Sequence, residues 1–425
     1  MKRVHDVVIV GGGIAGTLAV LTAVDRGLDV AWIADEVGFD AQSAHWHGHL
    51  HRGRLYDPER EADLIDELGQ NVPFWWSNPV IGFHTTVQTV ALGHEEEWAT
   101  AFRNRIGGSA AGEQERPDYV RDDVLTVRTD EAVLDGPSFL SVARELGAID
   151  SLLISGRCTS LRRRSDGFWE AGAVTSAGET VRVRAQRAVL ATGIHNPALT
   201  PASVLPDREA SARLSRMLVL RGVLPSAAAI IPSRAAGGLF FDSRECPASG
   251  GAERVWLVSD GFSSSGSVSP SVLTDAWWAC SVMERLRGFV RDDLLDEVQV
   301  AAYRAPKSRV ESSPAAVPAR GFAVDRERGF VSLMPSKWST APTSAVESLA
   351  AILPDPEPLA ARIARLAERF ASAKVPEVPA FRETWESVDQ WVAARDLSRP
   401  GVEALRAASR MFSEHEVVKI SRSVA

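Results

Sequence analysis

A short apolar run, Val7 to Val10, leads directly into Gly11, Gly12, Gly13, Ile14, Ala15 and Gly16. The run has the β-branched content of a strand buried on both faces, and Ala15 to Arg26 has helical composition, so G-x-G-x-x-G joins a strand to a helix. Each glycine then has a task. Gly11 permits the tight turn, Gly13 lets backbone approach a diphosphate, and Gly16 lets helix and strand pack closely, with phosphate charge facing the positive end of the helix. Gly27 ends the helix and Leu28 to Ala34 reads as the second strand. Asp35 and Glu36 follow roughly 20 residues past the glycines, where an acid holds the adenosine ribose. A dinucleotide is expected here, with Gly11, Gly13, Ile14, Ala15, Gly16, Asp35 and Glu36 as its contacts.

At 425 residues the chain has room for two or three structural units. A hydrophobic share of 45% with 24% charged residues fits a folded, soluble protein rather than a disordered one or a membrane bundle. The net charge of -8 argues against nucleic acid as a partner. Val7 to Val24 follows Lys2 and Arg3 as a signal peptide would, but its three consecutive glycines break the pattern, and no export or spanning segment is expected. Cys158, Cys246 and Cys280 are far apart and form no C-x-x-C pair, so neither a disulfide framework nor a thiolate zinc site is expected, and a cytoplasmic location follows. Arg162, Arg163 and Arg164 read as a solvated strand or turn face.

Further along, Phe139 to Gly147 reads as a helix. Ser151 to Ile154, Thr159 to Arg164, Phe168 to Val174 and Thr180 to Arg184 read as a small meander. A buried strand then ends in Ala188, Val189, Leu190, Ala191, Thr192, Gly193. With its glycine motif and late Ala-Thr-Gly strand in this order, the chain resembles the FAD-dependent oxidoreductases of the D-amino-acid oxidase, glycine oxidase and glycerol-3-phosphate dehydrogenase superfamily. Gly329 to Thr340 looks like that family's closing flavin segment, Gly-Gly-Lys-Trp-Thr-Thr, with Pro335 and Ser336 at the two glycine positions. The resemblance implies FAD as cofactor, with Ser43, Cys158, Ala191, Thr192, Gly193, Ser336, Lys337 and Trp338 added to its contacts. It also implies that Lys337 sets a positive charge beside the reactive end of the flavin.

His45, His47, His49 and His51 alternate along Ala41 to Tyr56 and make up four of the nine histidines. No cysteine or carboxylate spacing completes a metal-ligand set, and no metal is expected. In the resembling family the segment after the second strand runs beside the flavin, and some amine dehydrogenases bond a Trp-His histidine to it. Trp46 and His47 match that dipeptide, while an ungapped comparison brings His51 to a family histidine. Non-covalent FAD with His47 and His51 lining its site is expected, and a covalent bond through His47 is the alternative.

The implied fold class is α/β. A Rossmann-like FAD-binding domain (1–55, 137–198 and 321–352) interleaves with a mostly antiparallel α+β substrate domain (56–136 and 199–320), followed by a helical C-terminal appendage (353–425). Met217 to Ile231 and Arg254 to Val258 read as strands of the second unit, and Leu359, Ile363, Leu366 and Phe370 recur at helical spacing in the third. Tyr303, Arg304, Ala305, Pro306 resembles the family's Arg-Pro element, so Arg304 is expected to hold a substrate anion, with Arg52 or Arg54 as alternatives. Trp75 with Trp76 and Trp277 with Trp278 read as packing residues or as walls of a substrate pocket.

The expected function is hydride transfer from an amine or α-hydroxy carbon of a small anionic substrate to flavin N5, with Lys337, Arg304 and His47 as the catalytic set. A single-component FAD monooxygenase using NAD(P)H and oxygen is a second reading, resting on Ser259, Asp260, Gly261 and on Asp275, Ala276. A non-catalytic flavin-binding protein is a third. Expected partners are a small-molecule substrate and a further copy of the chain, without nucleic acid or stable membrane association.

Overall fold

The computed structural model describes residues 3–35, 43, 48–50, 52–53, 59, 61–76, 87–90, 117–128, 132–134, 136–200, 209–231, 238–246, 253–260, 272–311, 321–335, 337–353, 356–373, 388–397 and 402–412. The chain opens with β1 (Val4–Val10), α1 (Ile14–Asp25) and β2 (Val30–Ala34). β1 and β2 are parallel, with Val7 beside Val30 and Val10 beside Ile33. Then come β3 (His49–Leu50), α2 (Ala62–Trp76), β4 (Val87–Val90), β5 (Leu125–Arg128), β6 (Ala132–Val133) and α3 (Gly136–Glu145). The meander is β7 (Leu153–Arg163), β8 (Trp169–Thr175) and β9 (Thr180–Leu190), and α4 (Asn196–Leu199) follows it.

β9 has several partners within one sheet. Its first half pairs antiparallel with β8, and its second half runs parallel to β1 with Val8 beside Ala188 and Val10 beside Leu190. Alternation along β1 explains why that strand is apolar throughout. Val7 and Ile9 pack against the helices, together with Leu18, Phe139 and Val346. Val8 and Val10 pack on the other face against Trp169, Ala171 and Ala173 of the meander.

A second sheet is built mainly from β10 (Glu209–Gly222), β11 (Ala228–Ile231), β12 (Leu239–Glu245) and β13 (Arg254–Asp260), followed by α5 (Val272–Arg287), α6 (Asp292–Asp296) and β14 (Gln299–Glu311). β15 (Phe322–Asp325) and β16 (Phe330–Leu333) return to the first sheet, where β16 runs parallel to β9. The chain closes with α7 (Ala341–Ile352), α8 (Leu359–Ala371), β17 (Val392–Ala393), α9 (Ala394–Leu397) and α10 (Val402–Ser409). Among the described residues the second sheet has the order β17, β14, β10, β13, β12, β11, β4, β5. All its pairings are antiparallel except β11 with β4.

This sheet has two unlike faces. Leu218, Leu220, Val300 and Ala302 point to a core shared with Ala276, Val282 and Phe412 beneath α5 and α10. Met217, Val219, Val255, Leu257 and Tyr303 point the opposite way. The strand expected over Met217 to Ile231 is two strands. β10 ends at Gly222, and Pro225, which has no amide hydrogen to donate to a ladder, sits in the connection before β11.

Two placements differ from the expected division at residues 55 and 353. Phe74 and Trp75 of α2 pack in the first core, because a helix with two fully buried aromatic residues needs the larger apolar surface that α3 and α8 offer. The closing helices divide between the layers: Ile363, Leu366 and Phe370 of α8 join the first core, and Ala407 and Ala408 of α10 join the second. No described helix is long and apolar enough to cross a membrane.

Candidate active site

The turn between β1 and α1 is built by contacts that only glycine allows. Gly11 adopts φ +120°, and a Cβ there would lie 2.2 Å from the Ala191 carbonyl oxygen. A Cβ on Gly16 would lie 2.1 Å from the Gly11 carbonyl oxygen. The Trp32 indole donates to that same Gly11 carbonyl at 2.9 Å and fixes the turn from the β2 side. At the helix start Gly13 supplies no side-chain cap, and the first turn of α1 contains no acidic residue. The Ile14 amide donates to Ser43 Oγ at 3.2 Å. The amides that follow Ile14 stand at the positive end of the helix without a carboxylate to repel an anion, which is what a diphosphate requires.

A second loop meets this turn. β9 runs on through Ala191, whose amide donates to the Val10 carbonyl at 2.7 Å, and on to Thr192 and Gly193. Sequence reasoning missed the residue that shapes this loop, Asn196, which is 0% exposed. Its Oδ1 accepts from the Thr192 amide at 2.6 Å and from Thr192 Oγ1 at 2.8 Å. Its Nδ2 donates to the Leu190 carbonyl at 3.1 Å, to Ser332 Oγ at 3.0 Å and to the Leu333 carbonyl at 3.2 Å. One side chain therefore joins the Ala-Thr-Gly loop to the strand that feeds Lys337. An asparagine in the helical turn just after Gly193 was the available signal, but its partners lie 136 and 137 residues away.

The closing turn is held from beneath. The Lys337 carbonyl accepts from the Thr340 amide at 3.2 Å and from Thr340 Oγ1 at 3.1 Å. Trp75 Nε1 donates to the Ser339 carbonyl at 2.9 Å. Trp338 is buried, and its ring lies so near Gly136 that a Cβ there would meet it at 2.9 Å and the Ser43 carbonyl oxygen at 3.3 Å. Ser43 and Trp338 are therefore neighbours. Lys337 itself is half-buried. Behind it Thr343 Oγ1 donates to Glu67 Oε1 at 3.1 Å, and Asn71 binds both the Thr343 amide and its hydroxyl, so α2 and α7 share a buried polar contact.

From the histidine run only His49 is described. Its Nε2 lies 3.1 Å from the Phe241 carbonyl and its ring meets Phe240 edge-on at 5.9 Å. Burial holds its pKa down at about 4, so the ring is neutral near pH 7. Adjacent Gly48 adopts φ +77° and approaches the Arg244 guanidinium. Phe240 and Arg244 pair in register with Ser259 and Val255. The face of the second sheet that carries Tyr303 and Leu257 is therefore the one that meets the histidine segment. His195, just past Gly193, is also shifted down, by burial and then by Arg157.

The structure thus brings together Gly11, Gly13, Ile14, Ala15, Gly16, Ser43, Ala191, Thr192, Gly193, Lys337 and Trp338. Asp35 follows β2 and is exposed. Cys158 lies in β7 three residues past Ser155, which pairs with Ala34 at the end of β2, and burial raises its thiol to about 11. Arg304 is not brought to this cluster. Arg304 lies in β14 on the face opposite Tyr303, because neighbouring residues of a strand point to opposite sides, and its Nε donates to Asp275 at 2.6 Å beneath α5. Glu36, His47, His51 and Ser336 lie outside the described residues, as do His45, Trp46, Arg54 and Gly261. Asp260 and Asp275, the footing of the monooxygenase reading, belong to the second sheet and α5 rather than to the glycine turn.

The family described as DAO, FAD dependent oxidoreductase, matches residues 6–253, more than half of the sequence. The chain belongs to this family. As a DAO-family FAD-dependent oxidoreductase it shares its fold with solved structures of low identity. An FAD dependent oxidoreductase from Pseudomonas aeruginosa is similar at 18% identity and TM-score 0.58, over 91% of this chain and 99% of that one. Glycine oxidase from Bacillus cereus is similar at 15% identity and TM-score 0.58, over 82% and 97%. L-alpha-glycerophosphate oxidase from Mycoplasma pneumoniae, solved with FAD bound, is similar at 14% identity and TM-score 0.57, over 83% and 95%. No curated protein matches the chain by sequence.

Proposed function

We propose that this FAD-dependent oxidoreductase removes hydride from an amine or α-hydroxy carbon of a small anionic substrate, held between the glycine-turn cluster and the Tyr303 face of the second sheet. The observation that carries this reading is the convergence through Asn196, which sets the Ala191–Gly193 loop and the run toward Lys337 against each other. Gly13 and the first-turn amides of Ala15 and Gly16 would hold the diphosphate through backbone, and Asp35 or Glu36 the ribose. When bound, the flavin supplies a two-electron acceptor that none of the side chains can provide.

The chain's own residues align and polarise. Lys337 offers a positive charge where negative charge develops, and its fixed backbone spares reorganisation at that moment. The apolar wall of Met217, Val219, Leu257 and Tyr303 excludes water from the reacting carbon. His49 is neutral, and hydride loss from a neutral amine needs no carboxylate base. With Arg304 engaged by Asp275, Arg52 takes the anion-holding role; it lies three residues from His49, with its guanidinium 4.5 Å from the Trp76 ring centroid.

An anaerobic screen of FAD-loaded protein against amino acids, secondary amines, α-hydroxy acids and glycerol phosphates tests this reading. Bleaching of the flavin band by at least one amine or hydroxy compound is expected; bleaching by NADPH alone contradicts it. With the substrate found, Lys337→Ala should slow flavin reduction by roughly ten-fold to a thousand-fold while FAD stays bound, and unchanged reduction kinetics would remove the role given to Lys337.

A further inference from the structure

The outer face of the second sheet carries a charged cluster that the redox site does not use. Arg216 of β10 and Arg304 of β14 are cross-strand partners, and both reach the single carboxylate of Asp275 in the first turn of α5. Arg304 Nε donates to Asp275 Oδ2 at 2.6 Å, and Arg216 Nε donates to Oδ1. The Arg304 side chain is 1% exposed, and its Nη1 has no hydrogen-bond partner among the described residues. Nearby, Asp260 accepts from Trp278 Nε1 at 2.9 Å and lies within the fields of Arg285 and Arg216. Among the described residues, Arg216 and Arg304 thus share one directly bonded carboxylate. Two guanidinium groups on one carboxylate carry more N–H donors than it has acceptor sites, and an anion supplies further acceptors.

A shallow open cleft of about 470 Å³ lies beside Arg216, lined by Arg216, Thr274, Trp277, Trp278 and Ser281. The four α5 residues recur at helical spacing, so the helix turns one face toward the space. Trp277 is 66% exposed, an unusual setting for an indole, whereas Trp278 is buried with the Arg216 guanidinium 5.9 Å from its ring. The volume suits a small organic ligand. Asp275 holds Arg216 by its Nε, and a guanidinium fixed in this way is ready to bind a carboxylate. The indoles offer flat apolar walls and the hydroxyls of Thr274 and Ser281 add polar partners.

We propose that this cleft binds a small monoanion with a flat apolar body, an aryl carboxylate, at a site separate from the redox centre. Strand alternation separates the two: Arg216 and Arg304 face α5, and Met217 and Tyr303 face the flavin-binding unit. The two indole walls favour an aryl carboxylate over a bare inorganic anion.

The test is a calorimetric titration of the FAD-loaded protein with benzoate, with the flavin absorption band followed in parallel. A binding event that leaves the flavin band unchanged is expected. Arg216→Gln should weaken that event roughly ten-fold or more, since it removes a charge-assisted contact while leaving Asp275 matched to Arg304. Trp277→Ala, a change at an exposed position, should weaken it as well and supplies the answer if Arg216→Gln fails to fold. The proposal is overturned if every binding event moves the flavin band, if no event is seen, or if a silent event keeps its affinity in the folded variants.

Discussion

Asn196 shows how much of the site depends on one side chain. Replacing it with alanine removes its bonds to Thr192, Leu190, Ser332 and Leu333 and leaves buried backbone groups without partners. Asn196→Ala should therefore cost about 2 to 3 kcal/mol of stability and lower the FAD retained on purification. Denaturant unfolding and FAD content measure both, and full stability with full FAD would show that the loop keeps its shape without this residue. His49 makes a prediction in pH. Its folded pKa of about 4 lies below the ordinary 6.5, so the unfolded chain takes up the proton first as pH falls. Its contribution is complete above about pH 6.5 and is lost progressively down to about pH 4, a change of roughly 3 kcal/mol. His49→Gln should flatten the dependence of the unfolding midpoint on pH across that window; an unaltered slope would mean that another group controls it.

At the scale of elements, the placement of α8 is the most consequential. Phe370 stacks on Phe139 of α3 with ring centroids 4.9 Å apart and meets Phe74 of α2 at 5.3 Å, edge to face. A helix from the C-terminal part of the chain thereby closes the core beneath the glycine turn. Phe370→Ala should cost about 3 to 5 kcal/mol, read from the unfolding midpoint, whereas a change below 1 kcal/mol would place α8 outside the cooperative core. The amphipathic period of α8 was readable from Leu359, Ile363, Leu366 and Phe370, but period alone does not name a partner. α8 and α10 have similar patterns, yet they cover different sheets.

Over the whole molecule, what could be read from sequence was local. The β1–α1–β2 unit depends on residues close along the chain, so period and turn chemistry were sufficient, whereas in the meander the separate runs expected at Ser151–Ile154 and Thr159–Arg164 are one strand, β7, and those at Thr180–Arg184 and Ala188–Gly193 share β9. The rest depended on long-range partners. Tyr303 and Arg304 differ by one position, and only the register of β14 on β10 decides which of them faces α5, where Asp275 awaits the arginine. The break between β10 and β11 was hidden in a long apolar run, and α2 carried no sign that Trp75 would brace the turn after Lys337. What unites these pieces is a glycine turn shaped to hold a flavin dinucleotide, and its most direct measure is FAD bound per folded chain. The native protein should carry or take up close to one FAD. Gly16→Val, whose side chain would be driven into the Gly11 carbonyl, should distort the turn, and the fraction that folds should take up little or none. A native chain that folds and binds no FAD, or a folded Gly16→Val protein that binds it as well as the native one, would contradict the assignment of the site.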